Sequence, residues 1–127
     1  MDTSLTLTFC SIRSICTGAV FLANLGIFDG RYCTTHWGIY PLLKKYLQDG
    51  AEWAEGQVGT LIPTRYVDSG VNQSGVRIIS SGGISCGIDA SLHVIRKRYG
   101  LDEALSTAQL LDYGWRQTDG VIFDEVF

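Results

Sequence analysis

Hydrophobic residues along this 127-residue chain switch between two spacings, and glycines separate the segments. Apolar residues at every second position predict strands, and apolar residues at every third or fourth position predict helices. The predicted strands run from Leu5 to Phe9, Arg31 to Thr35, Arg65 to Asp68 and Val76 to Ser80. The predicted helices run from Thr17 to Leu25, Pro41 to Asp49, Ser81 to Tyr99 and Asp102 to Tyr113. Strands that alternate with helices predict an α/β layered fold with a mainly parallel sheet.

Glycine and capping residues predict where the helices begin and end. Gly26 and Gly100 follow apolar helical segments, where a left-handed residue closes the last turn. Asp49-Gly50 predicts the end of the helix that Pro41 begins, and Asp102 is a favourable N-cap for the last helix. The chain shows no repeat and no linker, so we predict one domain spanning residues 1–127.

Composition narrows the function classes. Hydrophobic residues make up 46% and charged residues 18% of the chain, as in globular proteins, and the net charge is −3. With no basic block, the sequence predicts neither nucleic-acid binding nor attachment to an anionic membrane. It contains no apolar stretch of membrane-spanning length and no secretory leader, so we expect a cytoplasmic protein with reduced cysteines.

The segment Ser14-Ile15-Cys16-Thr17-Gly18 carries the strongest chemical signal. It predicts a sharp turn between a strand and an apolar helix, which presents the cysteine to solvent and aims backbone N–H groups at the same point. The start of a helix also favours the thiolate form of a cysteine. The alternative is that Cys16 is a small buried residue, as many free cysteines are.

Other candidate chemistry is weaker. Cys33 and His36 have the spacing of half a metal site, and no second pair completes it, so we predict no metal. Gly82-Gly83 lacks the residues of a phosphate-binding or dinucleotide-binding loop, so we predict no cofactor. His93 is expected on the surface of its helix or at an interface.

Five segments in order, spread from residue 15 to residue 89, together resemble a known family. They are Ile15-Cys16-Thr17-Gly18-Ala19, Gly26-Ile27-Phe28-Asp29-Gly30-Arg31, Thr34-Thr35-His36-Trp37, Arg65-Tyr66-Val67-Asp68 and Gly83-Ile84-Ser85-Cys86-Gly87-Ile88-Asp89. The chain thereby resembles the ThiJ/PfpI superfamily, also called class I glutamine amidotransferase-like. Its sequence is most similar to the isonitrile hydratase-like branch.

The resemblance implies a flavodoxin-like sandwich, commonly dimeric, that acts on a small molecule. Cys16 matches the nucleophile, and Thr17 matches the neighbour that helps to bind the developing oxyanion. His36 matches a histidine that approaches the cysteine. Gly18, Gly83 and Ile84 are the further residues expected beside the substrate or the oxyanion.

The resemblance also implies a long portion before the turn that carries Cys16, where this chain has fifteen residues. That portion supplies strands, an acidic residue that contacts the cysteine and a glycine donor to the oxyanion. We therefore expect a domain that is incomplete on its N-terminal side. Three functions follow as expectations: a cysteine-dependent hydratase or hydrolase, a non-catalytic binding or dimerising remnant, and a thiol-based redox or carbonyl-stress protein.

Overall fold

Strands and helices alternate in the computed structural model of the protein, which describes residues 10–123. In chain order the elements are β1 (Cys10–Ser14), α1 (Ala19–Asn24), β2 (Tyr32–Cys33), α2 (Tyr40–Ala54), β3 (Thr60–Leu61), β4 (Tyr66–Val71), β5 (Val76–Ser81), α3 (Ile84–Tyr99), α4 (Leu101–Leu110) and β6 (Val121–Ile122). Short 3-10 turns at Cys16–Gly18 and Trp37–Ile39 precede α1 and α2. The predicted α/β class is confirmed, and the strand predicted from Leu5 to Phe9 lies outside the described residues.

Two sheets carry the strands. The larger sheet has the order β1-β5-β4-β6, and β2 pairs with β3 in a second sheet of two strands. The pairs β1–β5, β4–β6 and β2–β3 are parallel, whereas β4 and β5 form an antiparallel hairpin. The architecture is therefore a mixed sheet with helices, which is compatible with a flavodoxin-like fold.

The register of the larger sheet separates two hydrophobic cores. Ile12 pairs with Ile78 and packs on the side of α1 and α2, where Phe28 and Leu47 are buried. Ile79, one residue further along β5, belongs to the other core with residues of α3. Adjacent strand residues point to opposite faces, so the sheet is covered on both sides.

The contact between α1 and α2 explains why α2 continues beyond the predicted end at Asp49-Gly50. Gly50 is buried within α2, and a Cβ there would collide with the backbone carbonyl of Ala23 in α1. The glycine therefore permits close approach of two helices instead of ending one. The helix ends at Ala54, and Glu55 takes the left-handed conformation that closes it.

A Gly50→Ala substitution is expected to lower the free energy of unfolding by about 2 kcal/mol, because the methyl group forces the helices apart. Gly18→Ala is the matched control, since a Cβ on Gly18 has no neighbour within 4 Å and the backbone there is right-handed. We expect urea denaturation to show a change below about 0.5 kcal/mol for the control. Equal stability of the two variants would contradict this packing account.

Two further helix boundaries test the sequence prediction. Gly26 and Gly100 have φ angles of +78° and +99°, as their positions after helices predicted. The predicted N-cap at Asp102 is wrong, because α4 begins at Leu101 with Gly100 before it and Asp102 lies in the first turn. At that position the negative charge of Asp102 still interacts favourably with the positive end of the helix dipole. In the described part of the chain, no helix combines the length and hydrophobicity needed to cross a membrane.

Candidate functional site

The ends of β1, β2 and β5 bring the candidate residues together. Cys16 follows β1, His36 follows β2, and Gly82-Gly83 follow β5. Hydrogen bonds connect these segments, including one from the Thr34 N–H to Ser80 Oγ at 2.8 Å. Ligands of open α/β sheets bind at the carboxyl ends of strands, so this edge is the candidate site.

Cys16 occupies a strained turn. Its φ angle is +56°, in the left-handed region that non-glycine residues rarely adopt. The Cys16 N–H donates to the carbonyl of Gly82 at 2.7 Å, and Thr35 Oγ1 donates to the Cys16 carbonyl at 2.6 Å. Both polar groups of the backbone are therefore held, while the side chain remains partly exposed. This geometry matches the predicted elbow between a strand and a helix.

The residues after Cys16 differ in what they offer a substrate. Thr17 is exposed beside the cysteine in the first 3-10 turn. The Gly18 N–H donates to the carbonyl of Ile15 at 3.0 Å. The Gly18 amide is therefore already engaged within the turn.

His36 lies at the same edge, with its ring oriented by local contacts. Its Nδ1 accepts the N–H of Gly38 at 3.0 Å, and its ring stacks on Trp37 with 5.3 Å between centroids. A neutral imidazole that accepts at Nδ1 carries its proton at Nε2. Nε2 is therefore the ring nitrogen of His36 that can donate a hydrogen bond. Within residues 10–123, no hydrogen bond joins its ring to the sulfur of Cys16.

Gly83 and Ile84 take different positions. A Cβ on Gly83 would lie 3.6 Å from Cδ2 of His36, so Gly83 borders the candidate site. The Ile84 side chain is 80% exposed and lines a separate apolar groove with Ile15. The structure brings Gly83 to the histidine and places the Ile84 side chain outside that group.

An ion pair supports the loop around Gly82. Arg65 Nε donates to Asp89 Oδ2 at 2.7 Å, and the Asp89 side chain is fully buried. Burial alone would lower the pKa of Arg65, but the hydrogen bond and charge of Asp89 raise it. The carbonyl of Arg65 accepts the N–H of Gly82 at 2.9 Å. Arg65 therefore links the start of β4 to the residue that holds Cys16.

A second polar network lies between the larger sheet and α3, and its Asp68, Arg77 and His93 side chains are buried. Asp68 Oδ2 accepts from Arg77 at 2.8 Å and from His93 Nε2 at 2.7 Å. Arg96 donates to His93 Nδ1 at 2.8 Å, so Nε2 is the ring nitrogen that donates to Asp68. The expectation that His93 lies on the helix surface is wrong, because the residue is 0% exposed and is held by this network.

The carboxyl of Asp68 is ionised by its surroundings. Burial alone would raise its pKa, but hydrogen bonds from His93 and the Gly70 N–H, with the charge of Arg77, hold it below the ordinary value of 3.8. Neither this network nor the Arg65–Asp89 pair was predicted. One signal was present: Asp89, His93 and Arg96 recur on one helical face.

The described cysteines differ in burial. Within the described residues, no group of three or more His, Cys, Asp or Glu side chains is placed to hold a metal ion. Cys16, Cys33 and Cys86 are free thiols. Burial raises the pKa of Cys33 to about 12, so it stays protonated at neutral pH. Of these three, Cys16 and Cys86 are partly exposed.

Comparison with known proteins supports a relationship to the ThiJ/PfpI superfamily. The chain is similar to isonitrile hydratase of Pseudomonas putida, with 28% identity over 103 residues. That alignment covers 80% of this chain and 37% of the relative, so the chain corresponds to well under half of the relative's length. No protein-family model matches the chain.

Proposed function

We propose that this chain is a ThiJ/PfpI-like protein with a flavodoxin-like domain, in which Cys16 catalyses the hydration of an isonitrile to an N-substituted formamide. The observation that carries the proposal is the left-handed backbone of Cys16 at the carboxyl end of β1. Strain of about 1–3 kcal/mol at such a position persists where the surrounding structure enforces it, and it is common at catalytic residues. The similarity to isonitrile hydratase supplies the substrate class.

The proposed reaction uses the thiol twice. The thiol of Cys16 adds to the terminal carbon of the isonitrile: the S–H bond breaks, the sulfur and the thiol proton both bond to that carbon, and a thioimidate forms. Water then adds to the same carbon, and the nitrogen takes a proton. The carbon–sulfur bond breaks, the formamide leaves, and the Cys16 thiol is restored.

Two neighbours support these steps. His36 presents Nε2–H, since its Nδ1 accepts the Gly38 N–H, and it is the proposed hydrogen-bond donor to charge that develops as the thiol proton moves to the isonitrile carbon. Thr17 is exposed beside the sulfur, and its backbone N–H is the proposed donor to charge that develops on the substrate. The helix and strand ends hold these groups before the substrate arrives.

Product analysis tests the proposal. The purified chain is incubated with methyl isonitrile in H₂¹⁸O, and the product is identified by mass spectrometry. We expect N-methylformamide that contains one ¹⁸O atom, formed faster than in a protein-free sample. Formation at the protein-free rate would contradict the proposed function.

A further inference from the structure

A small cleft opens beside the candidate site. Its volume is about 260 Å³, which suits a single ring better than a cofactor. Trp37 and Tyr40 at the start of α2, and Pro63 after β3, provide apolar lining from two parts of the chain. Gly82, Gly83 and Cys86 contribute lining from the end of β5 and the start of α3. Most of the accessible lining is apolar.

The cleft adjoins the proposed nucleophile. Two of its lining residues, Thr35 and Gly82, hydrogen-bond the backbone of Cys16 at 2.6 and 2.7 Å. His36, the proposed hydrogen-bond donor, stacks on Trp37. The cleft therefore lies next to the turn that carries Cys16.

Charge restricts what the cleft can hold. Arg65 is the charged side chain among the described lining residues, and its contact with Asp89 at 2.7 Å balances it. Among the described lining residues, no charge remains to balance a charged substituent. Burying such a substituent in the apolar cleft would therefore be costly. The exposed face of Trp37, which is 75% exposed, instead offers stacking to an aromatic ring.

We propose that this cleft binds the non-reacting substituent of the substrate and selects an uncharged aryl group. The proposal deepens the hydration reaction and rests on it for the identity of the reactive carbon. Trp37 is then a specificity-determining residue, and its ring contacts the aromatic ring of that substituent.

Equilibrium binding of an inert compound tests the cleft without turnover. N-benzylformamide presents the aryl group and the product amide, and its affinity is measured by isothermal titration calorimetry. We expect Trp37→Ala to weaken binding about tenfold and Trp37→Phe to weaken it less, because a ring is retained. Trp53→Ala is the matched control. Trp53 is 73% exposed, close to the 75% of Trp37, but it lies about 20 Å along α2 from Tyr40, which lines the cleft.

The same variants are compared in turnover of benzyl and methyl isonitrile. We expect the ratio of kcat/KM for benzyl over methyl isonitrile to fall about tenfold in Trp37→Ala and to stay unchanged in Trp53→Ala. Turnover with an unchanged ratio in Trp37→Ala would overturn the cleft proposal and leave the hydration reaction standing. Binding that depends on Trp37, without turnover of either compound, would support the cleft and overturn hydration. Binding that is absent, or equal in both tryptophan variants, would overturn the cleft proposal.

Discussion

Replacing Asp68 with alanine is expected to lower the free energy of unfolding by about 3–5 kcal/mol, the range for breaking a buried ion pair. Asp68 is 0% exposed and accepts hydrogen bonds from both Arg77 and His93. The substitution removes the carboxylate that balances the buried guanidinium of Arg77, and it also leaves a cavity. Urea denaturation at pH 7 measures the change. Asp49→Ala is the control, because Asp49 is an exposed residue of α2 and its loss should change stability by less than about 0.5 kcal/mol.

The stability difference between the native chain and Asp68→Asn is expected to change with pH in one direction. The pKa of Asp68 in the folded state lies below 3.8, so its charge stabilises the fold above that value. The stabilisation is lost as the pH falls from the unfolded value through the lower folded value. The stability difference between the native chain and Asp68→Asn should therefore shrink below about pH 4. A constant difference from pH 7 to pH 3 would contradict the assigned ionisation.

Cys16→Ser is expected to lower kcat for isonitrile hydration by at least about a thousandfold, the scale of losing a catalytic nucleophile. A serine hydroxyl is a far weaker nucleophile than a thiol at neutral pH. The substitution keeps the size of the side chain and the hydrogen bonds of the backbone, so stability should change little. Formamide production and urea denaturation on the same sample separate chemical loss from unfolding.

Cys33→Ala is the control for thiol removal. Burial raises the pKa of Cys33 to about 12, and its Sγ donates to the Thr60 carbonyl at 3.7 Å, so its thiol lies in the hydrophobic core. We expect this variant to retain hydration activity after correction for its folded fraction. Equal activity losses in Cys16→Ser and Cys33→Ala would contradict a specific role for Cys16.

Local patterns predicted the elements that depend on local physics. The elbow at Cys16 and the left-handed glycines at Gly26 and Gly100 follow from backbone preferences that a short segment carries. Gly50 was predicted to end a helix but lies within one, because its role depends on Ala23 in another helix. A glycine that ends a helix and a glycine that lets two helices approach closely look the same in the sequence. The tertiary structure is needed to distinguish the two roles.

Local patterns also indicated part of the candidate site. Cys16 and His36 stand out as chemical groups at the ends of segments, and the fold places both at one edge. The cleft beside them was not predicted, because Trp37, Pro63 and Cys86 come from separate segments that meet only after folding. Their apolar character, viewed along the chain, is equally typical of core residues.

The central claim is that the thiol of Cys16 is a presented and activated nucleophile, and alkylation rates at single cysteines test it most directly. The chain is treated with iodoacetamide at pH 7, native and in urea, and labelled peptides are quantified by mass spectrometry. We predict that Cys16 reacts faster in the native chain than in the unfolded chain, whereas Cys33 reacts only after unfolding, because it is 0% exposed. Protection of Cys16 in the native chain, to the degree found for Cys33, would contradict the account.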